Sequence, residues 1–217
     1  MFVCARGENI GFAREIGVGI VESAIALTSL ILRENPQYLI FTGSAGAYDK
    51  RINLLDIFAS NSATQIESSF TQGESYTPLD NKIEIVSYET LPNQNVDFGK
   101  DSSVNLSVNL SANLSANPTI NLIEILDSQK SAIINSSNYI CTDEIFAGKM
   151  SSAGIALENM EFFAVLKVAD YFKIPALGIF CVTNYCDKNA HSDFLAHHKK
   201  AQSLLKSHAR AIYEKYL

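Results

Sequence analysis

No two of the four cysteines, at positions 4, 141, 181 and 186, form a Cys-x-x-Cys pair. Cysteines scattered in or beside apolar runs behave as small hydrophobes, so neither a zinc site nor a disulfide framework is indicated. A basic face is lacking too. The 17 Lys and Arg stand against 23 Asp and Glu, for a formal net charge of −6, whereas nucleic-acid binding needs a cationic surface. No apolar stretch approaches the roughly 20 residues of a membrane-spanning helix. The opening "MFVCARGENIGFAREIG" has no signal-peptide core, because Arg6 and Glu8 interrupt its apolar patch at once. The expectation is a cytoplasmic protein with no nucleic-acid or membrane partner, acting on a small molecule or on another copy of itself.

What is present describes a globular chain. The 217 residues are 47% hydrophobic and 18% charged, which suits one domain with a sizeable core. Apolar periodicity and Asn35-Pro36 predict a helix from Gly17 to Leu32. The short run Tyr38 to Phe41 reads as a buried strand opening into a glycine turn at Gly43. Further strands are expected at Leu55–Ser60, Lys82–Tyr88, Tyr139–Thr142 and Ala176–Val182, and helices at Asp143–Met150, Asn159–Phe172 and Asp193–Tyr216. This alternation is an α/β pattern. Between Asp101 and Pro118 the chain becomes the four-residue repeat "VNLSVNLSANLSANPT", a low-complexity loop insert expected to be disordered and to carry no catalytic residue.

Three stretches hold groups suited to chemistry. "FTGSAGA" (Phe41–Ala47) offers backbone N–H groups and the Ser44 hydroxyl at the carboxyl edge of a strand, where open α/β sheets bind anions; a tight turn would use the same glycines. "ENMEFF" places Glu158, Asn159 and Glu161 around Met160 at the start of a helix otherwise built for burial, where acidic residues and Asn also serve as caps. "CVTNYCDKNAH" delivers Thr183 and Asn184 at the end of an apolar strand, facing a cleft or holding their own loop.

In this order the three stretches resemble the purine nucleoside phosphorylase and nucleosidase superfamily, which includes the methylthioadenosine/S-adenosylhomocysteine nucleosidases. "GVGIVESAIAL" looks like that family's entry to its first long helix. "PQYLIFTGSAGAYDKRINLLDIFAS" looks like its strand, Gly-Ser-Ala-Gly segment and following strand, and "ENMEFFAVLKVADYFKIPALGIFCVTN" like its ribose-binding helix and next strand. The resemblance implies a single α/β domain over residues 1–217, with a central mixed, twisted sheet flanked by helices and interrupted by the insert. It implies cleavage of an N-glycosidic bond with no metal or organic cofactor, in a homo-oligomer.

Residue by residue, the resemblance gives Glu161 the ribose hydroxyls and packs Met160 on the sugar. Gly43, Ser44 and Gly46 would hold phosphate, with Arg6 as a candidate cation for it. Ile145 and Phe146 of "TDEIFAGK" would stack on the base. Asn184 stands where many relatives carry an Asp; an amide donates one hydrogen bond and accepts another, which suits a 6-oxopurine. The resulting expectation is a purine nucleoside phosphorylase using phosphate as co-substrate on inosine or guanosine. The alternatives are a hydrolytic nucleosidase of the methylthioadenosine type and an inactive nucleoside-binding protein. Nucleosidases activate water with an N-terminal Glu, and the short segment before the first helix leaves Glu8 a poor counterpart.

Overall fold

The computed structural model describes residues 1–85 and 122–216. One ten-stranded sheet organises them. In chain order the elements are β1 (Phe2–Cys4), β2 (Arg14–Glu15), α1 (Gly19–Glu34), β3 (Leu39–Ala47), β4 (Ile57–Ser60), β5 (Ser62–Thr64), α2 (Ser68–Thr71) and β6 (Lys82–Glu84). Then come α3 (Leu122–Asp127), β7 (Lys130–Ser131), β8 (Ile133–Asn135), α4 (Glu144–Ser152), β9 (Ile155–Glu158), α5 (Phe162–Tyr171), β10 (Ala176–Tyr185) and α6 (Ala190–Tyr216). The strands run in the order β6-β5-β8-β9-β3-β10-β4-β7, with β1 also on β3 and β2 on β1. The sheet is mixed, combining parallel and antiparallel pairs.

Strands β3 and β10 are buried almost throughout, as strands covered on both faces must be. Leu27, Leu30 and Ile31 of α1 and Phe162, Val165, Leu166 and Ala169 of α5 form the core on one face. On the other, Ala201, Leu205, Ala209 and Ile212 of α6 pack on Ile40, Leu177 and Ile179. Helices α1 and α5 leave their outer surface apolar: Val21 is 61% exposed, Ile25 68% and Tyr171 58%, around a groove of about 280 Å³.

The two edges of β3 are covered differently. One edge pairs with β10 along its length. The other pairs with β1 at Ile40–Thr42 and with β9 at Gly46–Ala47. Between these partners Ser44 has no strand beside it on that edge.

Several expectations need correction. Gly43 to Ala47 is not a turn but the second half of β3; small residues let a strand run on where neighbouring side chains crowd it. Tyr139–Thr142 forms no strand: Tyr139 is 78% exposed, and the sheet instead uses Ile133–Asn135 just upstream. The helix expected from Asn159 begins at Phe162. Its polar preface divides between the end of β9 at Glu158 and a cap at Asn159, whose Oδ1 accepts from the N–H groups of Glu161 (2.9 Å) and Phe162 (3.0 Å). The strand expected over Lys82–Tyr88 is described as Lys82–Glu84. The repeat at 101–118 lies outside the described residues.

Phe41, Phe162 and Phe180 meet with ring centroids 5.0 to 6.0 Å apart. They close over Gly178, where an added β-carbon would lie 2.5 Å from Phe180 and 2.6 Å from Phe162. Two fully buried rings cannot both retreat from it. Gly178→Ala is therefore expected to destabilise the fold by about 1–3 kcal/mol through overpacking, read as a lower urea midpoint at unchanged slope.

Candidate active site

A residue in a strand directs its N–H and C=O to the same edge, and at Ser44 that edge is the unpartnered interval of β3. Both groups must therefore find partners elsewhere. The N–H donates to Glu8 Oε2 at 2.9 Å, and the C=O accepts from Asn159 Nδ2 at 3.1 Å. The Ser44 hydroxyl also donates to Glu8, through Oε1. Glu8 comes from the loop between β1 and β2, which β1 carries to this interval by pairing with β3 just before it.

Glu161 lies across the same opening. It is buried, and its Oε1 accepts the Gly19 N–H at the start of α1, 2.9 Å away. Asn138 Oδ1 takes the next N–H, from Ile20, at 2.9 Å. The first turn of α1 is thus capped by side chains remote in sequence, which satisfies donors that a helix leaves unpaired. Burial is the main reason the Glu161 carboxyl titrates at about 7, with the Glu8 carboxylate pushing the same way and the Gly19 N–H opposing. Met160 beside it is partly buried.

Two residues along β3, roughly 7 Å by strand rise, Gly46 pairs with Asn184 of β10 on one side and Glu158 of β9 on the other. Asn184 is buried; its Oδ1 accepts the Thr183 hydroxyl at 2.9 Å and its Nδ2 donates to the Tyr185 carbonyl at 3.2 Å. Glu158 accepts the Cys141 N–H with both oxygens, at 3.1 and 3.3 Å, and hydrogen bonds with Cys186 and Tyr48. Enclosure raises its carboxyl to about 7. Ligand atoms of Cys141, Glu158 and Cys186 lie within 4.8 Å of one another, but these hydrogen bonds already account for the grouping. A cavity of about 210 Å³ adjoins the cluster, lined in part by Tyr48, Ala147 and Cys186.

The structure therefore brings together Gly43, Ser44, Gly46, Met160, Glu161 and Asn184. Phe146 is buried behind the Gly46 end, edge-on to Tyr48 at 5.9 Å, whereas Ile145 is 74% exposed on the first turn of α4. Arg6 is not brought to Ser44. It is exposed and its guanidinium pairs with Glu22 at 3.1 Å. Glu8, a poor counterpart by its sequence position, is at the centre of the site, and Glu158 is there without a role that its motif would assign. Glu158 could have been found from "IALE", whose alternation marks a short strand ending in an inward carboxylate; for Glu8 no local signal exists.

The family model described as the phosphorylase superfamily matches residues 2–214, and the chain belongs to that superfamily. Its nucleosidases and phosphorylases need no cofactor. Within the superfamily the chain is 28% identical over 186 residues to the 5′-methylthioadenosine/S-adenosylhomocysteine nucleosidase of Psychromonas ingrahamii, covering 82% of this chain and 69% of the relative. It is 25% identical over 193 residues to the enzyme of that name from Tolumonas auensis, covering 87% and 76%. Among solved structures, a futalosine hydrolase mutant of Helicobacter pylori superposes with a TM-score of 0.68 at 18% identity, over 94% of this chain and 80% of that one. A methylthioadenosine nucleosidase mutant from the same organism, with 5′-methylthioadenosine in its active site, gives 0.67 at 17% identity, over 94% and 79%. These last two share the fold. Together the relatives correct the expectation of a purine nucleoside phosphorylase: they are nucleosidases and a hydrolase, and the phosphate co-substrate loses its support.

Glu161 binds a proton more tightly folded than unfolded, so between its ordinary value near 4.5 and about 7 the folded state holds more protons and stability falls as pH rises. Above about 7 the loss is complete. Glu161→Gln keeps the acceptor for Gly19 and removes this ionisation. Urea unfolding at pH 5 and 7.5 should show the wild type losing more stability than the variant, by on the order of 2–3 kcal/mol; equal losses would show that Glu161 is not held in this way.

Proposed function

We propose that the protein is a hydrolytic nucleosidase that cleaves the N-glycosidic bond of a purine nucleoside of the methylthioadenosine/S-adenosylhomocysteine type. The observation that carries this reading is the Glu8 carboxylate on the N–H and hydroxyl of Ser44. Those donors are what a phosphate would require. A fixed carboxylate on them repels a phosphate and accepts a proton from water instead. The curated relatives are nucleosidases as well.

The roles follow from position. Glu161, when ionised, accepts the ribose hydroxyls, and Met160 packs on the sugar. Glu8 holds and deprotonates the water that attacks the anomeric carbon. Both carboxylates flank the place where positive charge grows on the ribosyl ring, so they favour the transition state over the neutral nucleoside. Asn184 lies at the base end and orients the purine by hydrogen bonds. The homo-oligomer belongs to the same reading, and the apolar α1–α5 face is the surface available for it.

The test is release of free base from 5′-methylthioadenosine, S-adenosylhomocysteine, futalosine, inosine and guanosine, each with and without phosphate. Turnover of an adenosine thioether independent of phosphate is expected, and Glu8→Gln should lower kcat by about 10²–10⁴-fold, the usual worth of a general base. Turnover only with phosphate, or a fully active Glu8→Gln enzyme, would overturn the proposal. Binding without turnover would favour an inactive binding protein.

A further inference from the structure

The fold brings together two cysteines that the sequence holds far apart. Cys141 lies in the loop before α4 and Cys186 just after β10. Their Sγ atoms lie within 4.8 Å of each other and of a Glu158 carboxylate oxygen, and both are free thiols. Cys4 and Cys181, by contrast, are buried in strands β1 and β10. Burial pushes their thiols up to about 12, which leaves them inert.

We propose that Cys141 and Cys186 form a modification site, at which a hydroperoxide oxidises Cys141 and Cys186 then closes a disulfide with it. Each has surroundings that suit its part. Cys141 is only partly buried, so a small oxidant reaches it from solvent. Its thiol titrates below the usual range, chiefly because the Cys186 side chain hydrogen bonds to it; burial and the Glu158 and Asp143 carboxylates act the other way. While protonated, it donates to the Asp143 carbonyl at 3.5 Å. An accessible thiol that ionises readily beside a second thiol is the setting in which oxidation selects one cysteine.

Cys186 has the opposite setting. It is buried, and enclosure with Cys141 and Glu158 beside it holds its thiol well above the usual range. It therefore reacts second. Glu158 is the base it needs: the carboxyl hydrogen bonds with Cys186 and titrates at about 7, so its ionised form is present near neutral pH to take the thiol proton. A disulfide holds its sulfurs about 2.05 Å apart, so a side chain must rotate. The cavity of about 210 Å³ that Cys186 helps to line gives it room, and Cys141 sits on a loop rather than in a strand ladder.

The chemistry balances with the hydroperoxide as the one oxidant. The Cys141 thiolate attacks a peroxide oxygen: an S–O bond forms, the O–O bond breaks, and, with hydrogen peroxide, the departing hydroxide leaves as water with the proton that Cys141 gave up. The sulfur is oxidised by two electrons and the peroxide is reduced by two. Cys186, its proton passed to Glu158, then attacks the Cys141 sulfur. The S–S bond forms as the S–O bond breaks, and the second hydroxide leaves as water with the proton that Glu158 held. Closure also reaches the neighbouring site. Cys186 Sγ lies 3.1 Å from where a β-carbon on Gly46 would be, and Asn138, on the same loop as Cys141, caps the first turn of α1. The disulfide withdraws the Cys186 S–H from Glu158 and fastens that loop to the end of β10.

The test needs no substrate and so stands apart from the nucleosidase reading. The reduced full-length protein is treated with hydrogen peroxide in the presence of a chelator, alkylated with iodoacetamide while unfolded, and digested without reduction for mass spectrometry. Two of the four thiols should be lost, a Cys141–Cys186 linked peptide should appear, and dithiothreitol should restore all four. Cys186→Ser removes the second thiol, so dimedone should then trap a sulfenic acid at Cys141, whereas Cys141→Ser should leave Cys186 a thiol. The wild-type result requires neither variant to fold. Four surviving thiols, a wild-type Cys141 that ends as a sulfinic acid with no link, a link through Cys4 or Cys181, a bridge between two chains, or a Cys141→Ser protein oxidised at Cys186 as fast as the wild type would overturn the assignment.

Discussion

The exchange of partners along one edge of β3 is the constraint on which the site depends. A strand covered by one neighbour along its whole length would spend every N–H and C=O in the ladder. Here β1 ends before β9 begins, and the interval falls on Ser44. Its N–H and C=O face a gap that water, ligand or side chains must fill. Glu8 fills it from one direction and Asn159 from the other. Because Asn159 also caps α5, the strand, the helix start and Glu161 are tied to a single point.

Electrostatics shows a second economy. Glu8 and Glu161 already repel across the opening, and Glu158 lies enclosed beside Gly46. Each further buried carboxylate would raise the cost of ionising the others. Amides at 159 and 184 supply the geometry of a carboxylate without its charge. Asn159 moreover does what a carboxylate could not: its Nδ2 donates to Ser44 while its Oδ1 accepts from α5.

The helices and central strands were legible because their periodicity is strong: α1, α5, β3 and β10 sit close to where apolar spacing puts them. The path through Gly43–Ala47 was not, since glycine marks both a turn and a crowded strand, and only the partners on either side decide between them. Tyr139–Thr142 misled because β-favouring residues are also tolerated on an exposed loop. Ser44, Glu161 and Asn184, the residues that the motifs single out, each lie within or at the end of a regular element. Glu8 could not be singled out, because nothing local distinguishes a loop carboxylate that meets its partner 36 residues away. Arg6 was misjudged for the same reason, its partner Glu22 being chosen by the fold.

Ser44 and Gly46 stand on the same face of one strand, two residues apart. Their separation is therefore fixed by the covalent repeat of an extended chain rather than by side-chain packing. A packed wall can be loosened or tightened in small steps by exchanging one residue for another of nearly the same volume, but this interval cannot. It can change only in whole residues, and a slip of a single residue would turn Ser44 and Gly46 to the opposite side of the sheet. Strand β3 acts as a ruler with two usable marks, and adaptation to new ligands must come from groups around the marks rather than from the distance between them.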